Sequence, residues 1–290
     1  MSGIRTRTVE ANGLSFAIDE AGEGDSVALL LHGFPQSRRC WRHQLPALAE
    51  LGWRVVAPDM RGYGGSSRPE ERSAYAIANL VADAAGLFDA LGARRRVLVG
   101  HDWGGIVAWA FAIGQARPLD GLVIVNAPHP AVFQRVIRTD WRQRFRSWYV
   151  LFFQLPWLPE ALLAAARARM VGNALERSAR RPETFPPEIL DHYRDNAAAP
   201  GAMTAMLNYY RANLALAEVT QDQAIAVPTL LIWGEQDVAL GPELVAPTAY
   251  HVEDLVIRRL PEVSHWAQEE APDEVNAALG AWLRQRGLAS

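Results

Sequence analysis

Apolar positions along this 290-residue chain fall into two recurring patterns. Short, continuous, β-branched runs of strand length occur at 27–31, 54–59, 97–99, 122–126, 229–234 and 255–257. Between several of them lie longer stretches with apolar residues three or four apart, such as Trp41, Leu45 and Leu48 in 41–51, Leu80, Leu87 and Leu91 in 77–91, and the segment 273–284. Runs without polar alternation predict strands buried on both faces, and their alternation with helical segments predicts a mostly parallel sheet flanked by helices. The pair Asn12-Gly13 predicts a tight hairpin over 9–20. From about 131 to 224 the alternation stops, leaving aromatic and Ala/Leu/Arg-rich helical segments punctuated by Pro156, Pro159, Pro182, Pro186, Pro187 and Pro200. The simplest layout is an α/β core over 1–130 and 225–290, interrupted by an all-helical lid over 131–224.

The strand at 97–99 runs into a helical stretch through Gly100-His101-Asp102-Trp103-Gly104-Gly105. Small residues two positions either side of Asp102 have the spacing of a nucleophile elbow, in which backbone crowds a side chain pushed out over the sheet. A carboxylate there narrows the chemistry. Attack on an acyl carbon would give an anhydride, higher in energy than the ester or amide it came from, whereas attack on saturated carbon gives an ordinary alkyl ester that water can hydrolyse. Epoxides and alkyl halides are opened this way. The bland alternative is an Asp that merely caps the following helix.

An ester on Asp102 needs a base to activate water, and the base needs an orienting acid. Gly234-Glu235-Gln236-Asp237 follows one late strand and Val263-Ser264-His265-Trp266 the next, so both turns belong at the carboxyl edge of the sheet. His265 is the expected base. Of the other six histidines, His43, His192 and His251 lie in helical or polar contexts, while His32, His101 and His129 adjoin the site with no carboxylate pattern behind them. Spacing alone does not separate Glu235 from Asp237 as the acid.

Composition removes several classes. The net charge is −3, and all 29 basic residues are arginines scattered along the chain, which is no nucleic-acid footprint. Cys40 is the only cysteine, so neither a disulfide framework nor a cysteine metal cluster is expected, and a reducing compartment is the default. The glycine-rich run at 61–67 lacks the phosphate-binding arrangement and reads as a turn. No window reaches the roughly 18 apolar residues of a membrane span. The expectation is a soluble, cytoplasmic protein with no cofactor and no metal.

The run His32-Gly33-Phe34-Pro35, the elbow around Asp102, Asn126-Ala127-Pro128-His129-Pro130, Asp237 and Ser264-His265-Trp266 together resemble the epoxide hydrolases of the α/β-hydrolase fold over nearly the whole chain. The order nucleophile, acid, histidine is that of the α/β-hydrolases. The resemblance implies Asp237 as the acid, backbone N–H groups of Phe34 and Trp103 as the oxyanion hole, and His32, Pro35 and Trp266 against the substrate. It also implies that two lid tyrosines, Tyr149 and Tyr210, protonate the epoxide oxygen, with Tyr209 facing elsewhere. Haloalkane and haloacetate dehalogenases share most of the set, and Trp103 matches a halide-binding Trp, so dehalogenation is the alternative; a ligand receptor without catalysis is a more distant one. The partners implied are an apolar epoxide and water, with no nucleic acid and no membrane, and at most a second copy of the chain in a homodimer. Detoxification is the role such enzymes imply.

Overall fold

Asn12 and Gly13 both take positive φ, 49° and 72°, the paired left-handed conformation that a two-residue hairpin turn requires. Across them β1 (Arg5–Ala11) folds back on β2 (Leu14–Ala21). The computed structural model describes residues 3–214 and 224–289. Six further strands follow among them: β3 (Ser26–Leu31), β4 (Arg54–Pro58), β5 (Arg95–His101), β6 (Gly121–Val125), β7 (Thr229–Gly234) and β8 (Leu255–Leu260). They form one sheet in the order β1-β2-β4-β3-β5-β6-β7-β8, parallel from β4 onward.

The unbroken apolar runs are explained by what covers the two faces. Leu29, Leu98, Ile124 and Leu231 point to one side, where α2 (Ile77–Ala90) and α3 (Trp103–Ile113) pack Leu80, Phe88, Val107 and Phe111 on them. Their neighbours Leu30, Val99, Val123 and Ile232 point to the other, onto Leu45 and Leu48 of α1 (Gln44–Ala49) and the late C-terminal helix residues Val275, Leu279 and Leu283. Each strand residue thus has an apolar partner layer on whichever face it meets.

Three of the boundaries that differ from the sequence reading have a local physical reason. The first helix begins only at Gln44, because Pro46 fits solely in a first turn; Trp41 belongs to a preceding short 3₁₀ turn. Strand β8 runs on through Arg258 and Arg259, since at a sheet edge its outward positions face solvent and need not be apolar. The last helix starts at Pro272, a residue suited to the first helical position.

After β6 the chain leaves the sheet for six helices: α4 (Pro130–Thr139), α5 (Trp141–Arg146), α6 (Trp148–Phe152), α7 (Leu158–Ser178), α8 (Pro187–Ala198) and α9 (Ala202–Ala212). This is the inserted helical lid. α7 is broken at Ala166, Arg167 and Ala168, whose φ values of 50°, 58° and 50° are left-handed. The expected end of the lid, within 215–223, lies outside the described residues. The lid is seated on α10 (Ala267–Glu270) and the residues before it: the Tyr193 hydroxyl donates to the buried Glu269 carboxylate, the Trp266 indole N–H donates to Ser178 Oγ at 2.8 Å, and Arg181 donates to the Glu270 carbonyl at 2.9 Å. α11 (Pro272–Gln285) then closes the chain against the sheet.

Where β5 turns into α3, a Cβ on Gly104 would overlap the backbone carbonyls of Leu31 and His32. No flexible side chain is available to give way. Gly104→Ala should therefore cost about 3 kcal/mol, the upper end of overpacking, and lower the melting temperature by roughly 5–10 °C. The same change at Gly3, which faces open space, should leave it unmoved; thermal unfolding by circular dichroism compares the two.

Candidate active site

Asp102 sits at the apex of that turn with φ 52° and ψ −120°, a conformation that costs a non-glycine residue of order 1–3 kcal/mol. The sequence affords it by removing side chains around it. A Cβ on Gly100 would meet the Gly104 carbonyl, and a Cβ on Gly33 would collide with the Asp102 carboxylate itself. Asp102 does not cap α3 with its side chain, so the helix-capping explanation of this residue fails. Its Oδ1 instead accepts the Phe34 N–H at 2.7 Å, and the Trp103 N–H also favours the charged carboxylate. Burial pushes the Asp102 carboxyl above the usual carboxylate range, an effect that His265 and the two N–H groups only partly oppose.

His265 presents Nε2 to Asp102 Oδ2 at 3.7 Å, longer than a hydrogen bond, so the imidazole is not spent on the carboxylate. Its Nδ1 lies 2.6 Å from Asp237 Oδ2, which fixes the tautomer with the free lone pair facing Asp102. Asp237 is held from four directions. Its Oδ2 also accepts from Asn126 Nδ2 at 2.9 Å, and Oδ1 accepts the Ala239 and Leu240 N–H groups at 2.8 and 2.9 Å. Glu235, the alternative acid, turns outward to Arg259 at 2.8 Å. Burial works to lower the His265 pKa, but the Asp237 carboxylate, the hydrogen bond to it and the Asp102 charge together outweigh it and raise the value above that of an ordinary histidine.

Tyr149 from α6 and Tyr210 from α9 line one cleft with Asp102, their rings 6.0 Å apart and edge to face. Ile106, Phe133, Val150 and Leu240 supply apolar walls, and the cleft contains about 610 Å³ of space unfilled by protein, its open mouth included. Burial and the Asp102 charge hold both phenols well above their usual pKa, so both stay protonated. The Trp103 ring packs edge to face on Tyr210, centroids 5.0 Å apart. Tyr209 points the other way and donates to the Arg61 carbonyl at 2.8 Å.

Three residues expected against the substrate do other work. His32 is fully buried; its Nε2 accepts the Met60 N–H at 3.0 Å and its Nδ1 lies 3.0 Å from the Gly33 carbonyl, so it braces the loop that carries the Phe34 donor. Burial lowers its pKa to about 4, consistent with a neutral ring. Pro35 is buried behind Phe34, and Trp266 is committed to the lid through Ser178 while its ring packs against His265 at 4.7 Å. None of the three is among the residues lining the cleft. The reading missed a role for Asn126, which also accepts the Gly234 N–H at 2.9 Å and so ties the ends of β6 and β7 together behind Asp237. Its signal was present: a polar residue ending an apolar strand, at positive φ.

A family model of the α/β hydrolase fold matches residues 28–272. Epoxide hydrolase 4 of Mus musculus is 35% identical over 283 residues, covering 96% of this chain and 78% of that protein. Epoxide hydrolase A of Mycobacterium tuberculosis is 37% identical over 321 residues, 98% of each chain. Among solved structures, an inhibitor complex of the Bacillus megaterium epoxide hydrolase superposes with a TM-score of 0.89 at 28% identity, covering 96% of this chain and all of that one.

The charge balance around His265 can be read directly. Titration by heteronuclear NMR should place its pKa above 6.5 in the free protein. Asp237→Asn removes the largest upward influence and leaves burial in control, so the value should then drop below 6.5. A His265 that still titrates above 6.5 in that variant would contradict the assignment of Asp237 as its electrostatic partner.

Proposed function

The chain belongs to the α/β-hydrolase fold family, among its epoxide hydrolases, and from that premise we propose how these residues turn an epoxide into a vicinal diol. Asp102 Oδ2 attacks a ring carbon, the carbon–oxygen bond breaks, and the departing oxygen takes a proton from Tyr149 or Tyr210. The product is an alkyl ester on Asp102. His265, oriented by Asp237, then removes a proton from water, and the resulting hydroxide adds to the Asp102 carboxyl carbon. The N–H groups of Phe34 and Trp103 carry the charge that develops on Oδ1. Collapse releases the diol and returns the carboxylate, and the proton on His265 restores the tyrosine.

The observation that carries this reading is the pair of protonated phenols sharing a cleft with a buried carboxylate. An alkoxide leaving group needs an acid, and a halide does not. Walls of Ile106, Phe133, Val150 and Leu240 select an apolar substrate by shape more than by directional bonds, which suits removal of varied reactive epoxides in a detoxifying role. We place the protein in the cytoplasm, because its single cysteine is buried at Cys40 and needs no oxidising compartment.

Separate stalling points test the roles. Tyr149→Phe or Tyr210→Phe should slow ring opening by about 10²-fold, and the double variant should nearly abolish it, since each phenol backs up the other. His265→Gln should open the ring and then stop, accumulating an adduct at Asp102. Mass spectrometry after mixing with an epoxide distinguishes the two. Adduct formation at the unmodified rate in the tyrosine double variant would remove these phenols from the acid role.

The pH dependence has a definite sign. His265 must be neutral to accept the proton from water, so hydrolysis is lost as pH falls through its pKa. In the ester, Asp102 has no charge, and the part of the upward shift that came from it disappears. The acid limb of single-turnover ester hydrolysis should therefore lie below the His265 pKa measured in the free enzyme. A limb at or above that value would show that another group is the base.

A further inference from the structure

Consecutive segments of the lid carry large apolar side chains that the rest of the described residues leave mostly uncovered. Trp141, Phe145, Trp148, Leu151 and Trp157 are each 60–75% exposed, and all come from α5, α6 and the turn after it. Single exposed apolar residues are ordinary, but a cluster of this kind, three of its five members Trp, marks a surface built to meet something. The charge around it is equally uneven. Between residues 134 and 157 five arginines stand against one acid, Asp140, in a chain whose net charge is −3. Arg146 pairs with Glu243. Arg135, Arg138, Arg142 and Arg144 have no carboxylate partner among the described residues; Arg144 donates to the Ile137 and Arg138 carbonyls, and the Arg142 guanidinium lies 5.8 Å from the Trp141 ring centroid.

We propose that this face docks on an anionic lipid surface, with the Trp and Phe rings in the headgroup boundary and the unpaired arginines on lipid phosphates. Exposed tryptophans interleaved with arginines are the composition of segments that lie in a membrane interface without crossing it. The absence of a helix long and apolar enough to span a membrane among the described residues is compatible with this, and the sequence expectation of no membrane partner rested on spanning segments alone. A second copy of the chain fits less well. A two-fold contact places the same patch against itself, bringing four uncompensated arginines onto four others.

The face also lies back to back with the cleft. Tyr149 and Val150 of α6 line it, while their neighbours Trp148 and Leu151 on the same short helix face outward. Docking would bring the lid helix that carries Tyr149 and Val150 up to the phase in which apolar epoxides dissolve. That last step rests on the proposed activity; the docking itself does not.

Co-sedimentation of the full-length protein with vesicles provides the test. Vesicles of equal parts phosphatidylglycerol and phosphatidylcholine should carry the protein down, and pure phosphatidylcholine vesicles at least tenfold less. Arg138→Glu/Arg142→Glu/Arg144→Glu should lose that binding by tenfold or more, as should Trp141→Ser/Trp148→Ser/Trp157→Ser, with turnover of a water-soluble epoxide within twofold of the parent in both. The arginine set touches only exposed positions, so it decides the question if the tryptophan set fails to fold. Unchanged sedimentation in the arginine variant, or none with anionic vesicles in the parent, overturns the proposal. So does a stable dimer in sedimentation velocity that the tryptophan set converts to monomer, because the face is then a protein interface. Retained vesicle binding with no turnover of any epoxide would leave the docking standing and remove the activity instead.

Discussion

The approach of backbone to backbone at the β5–α3 turn governs everything above the sheet. Gly100 lies under the Gly104 carbonyl, Gly104 lies on those of Leu31 and His32, and Gly105 lies against Ala127. With no side chains between them, β3, β5, β6 and α3 come close enough to force Asp102 to φ 52° and aim its carboxylate outward. The same proximity brings the Phe34 N–H to 2.7 Å from it. Strain at one residue is thus maintained by packing at three glycines, and it serves to present a buried carboxylate with one oxygen bound and the other free to attack.

Electrostatics then divides labour among three ionisable groups. Asp237, held by Asn126 and two backbone N–H groups, exerts the largest upward influence on the His265 pKa. It offsets the cost of burying His265 as a cation, which is the state that follows water activation. Asp102 has fewer donors and a carboxyl raised by burial. A carboxylate poorly compensated in the ground state loses little when its charge passes into an ester, and so it is suited to be spent, whereas Asp237 is suited to persist. Environment separates two otherwise identical side chains into nucleophile and orienter.

The legible parts of the chain were those in which local sequence and tertiary packing ask for the same thing. Doubly covered strands read as unbroken apolar runs, the Asn12-Gly13 turn as a hairpin, and the glycines around Asp102 as an elbow. Helix starts at Gln44 and Pro272 and the polar continuation of β8 were misjudged because Pro placement and edge exposure depend on neighbours. At the site, Glu235 and Asp237 were inseparable by spacing; only folding shows Glu235 facing Arg259 at the surface. His32 and Trp266 illustrate the opposite limit. Both lie beside essential residues in sequence, yet their side chains are spent holding the loop and the lid, and a sequence motif does not say which side of a turn its members face.

The two halves of the reaction draw on different parts of the fold. Ester hydrolysis uses Asp102, His265, Asp237 and two backbone N–H groups, all from loops on the rigid sheet. The proposed ring opening adds Tyr149 and Tyr210, which come from α6 and α9 of the lid, itself held to the core through Tyr193, Ser178 and Arg181. In this proposal the step that creates a reactive alkoxide is therefore tied to lid side chains, where the phenols meet the leaving oxygen. Hydrolysis of the ester is not. The base, its acid and the oxyanion donors are all carried by the core, so the proposed second half of the reaction draws on no side chain of the lid.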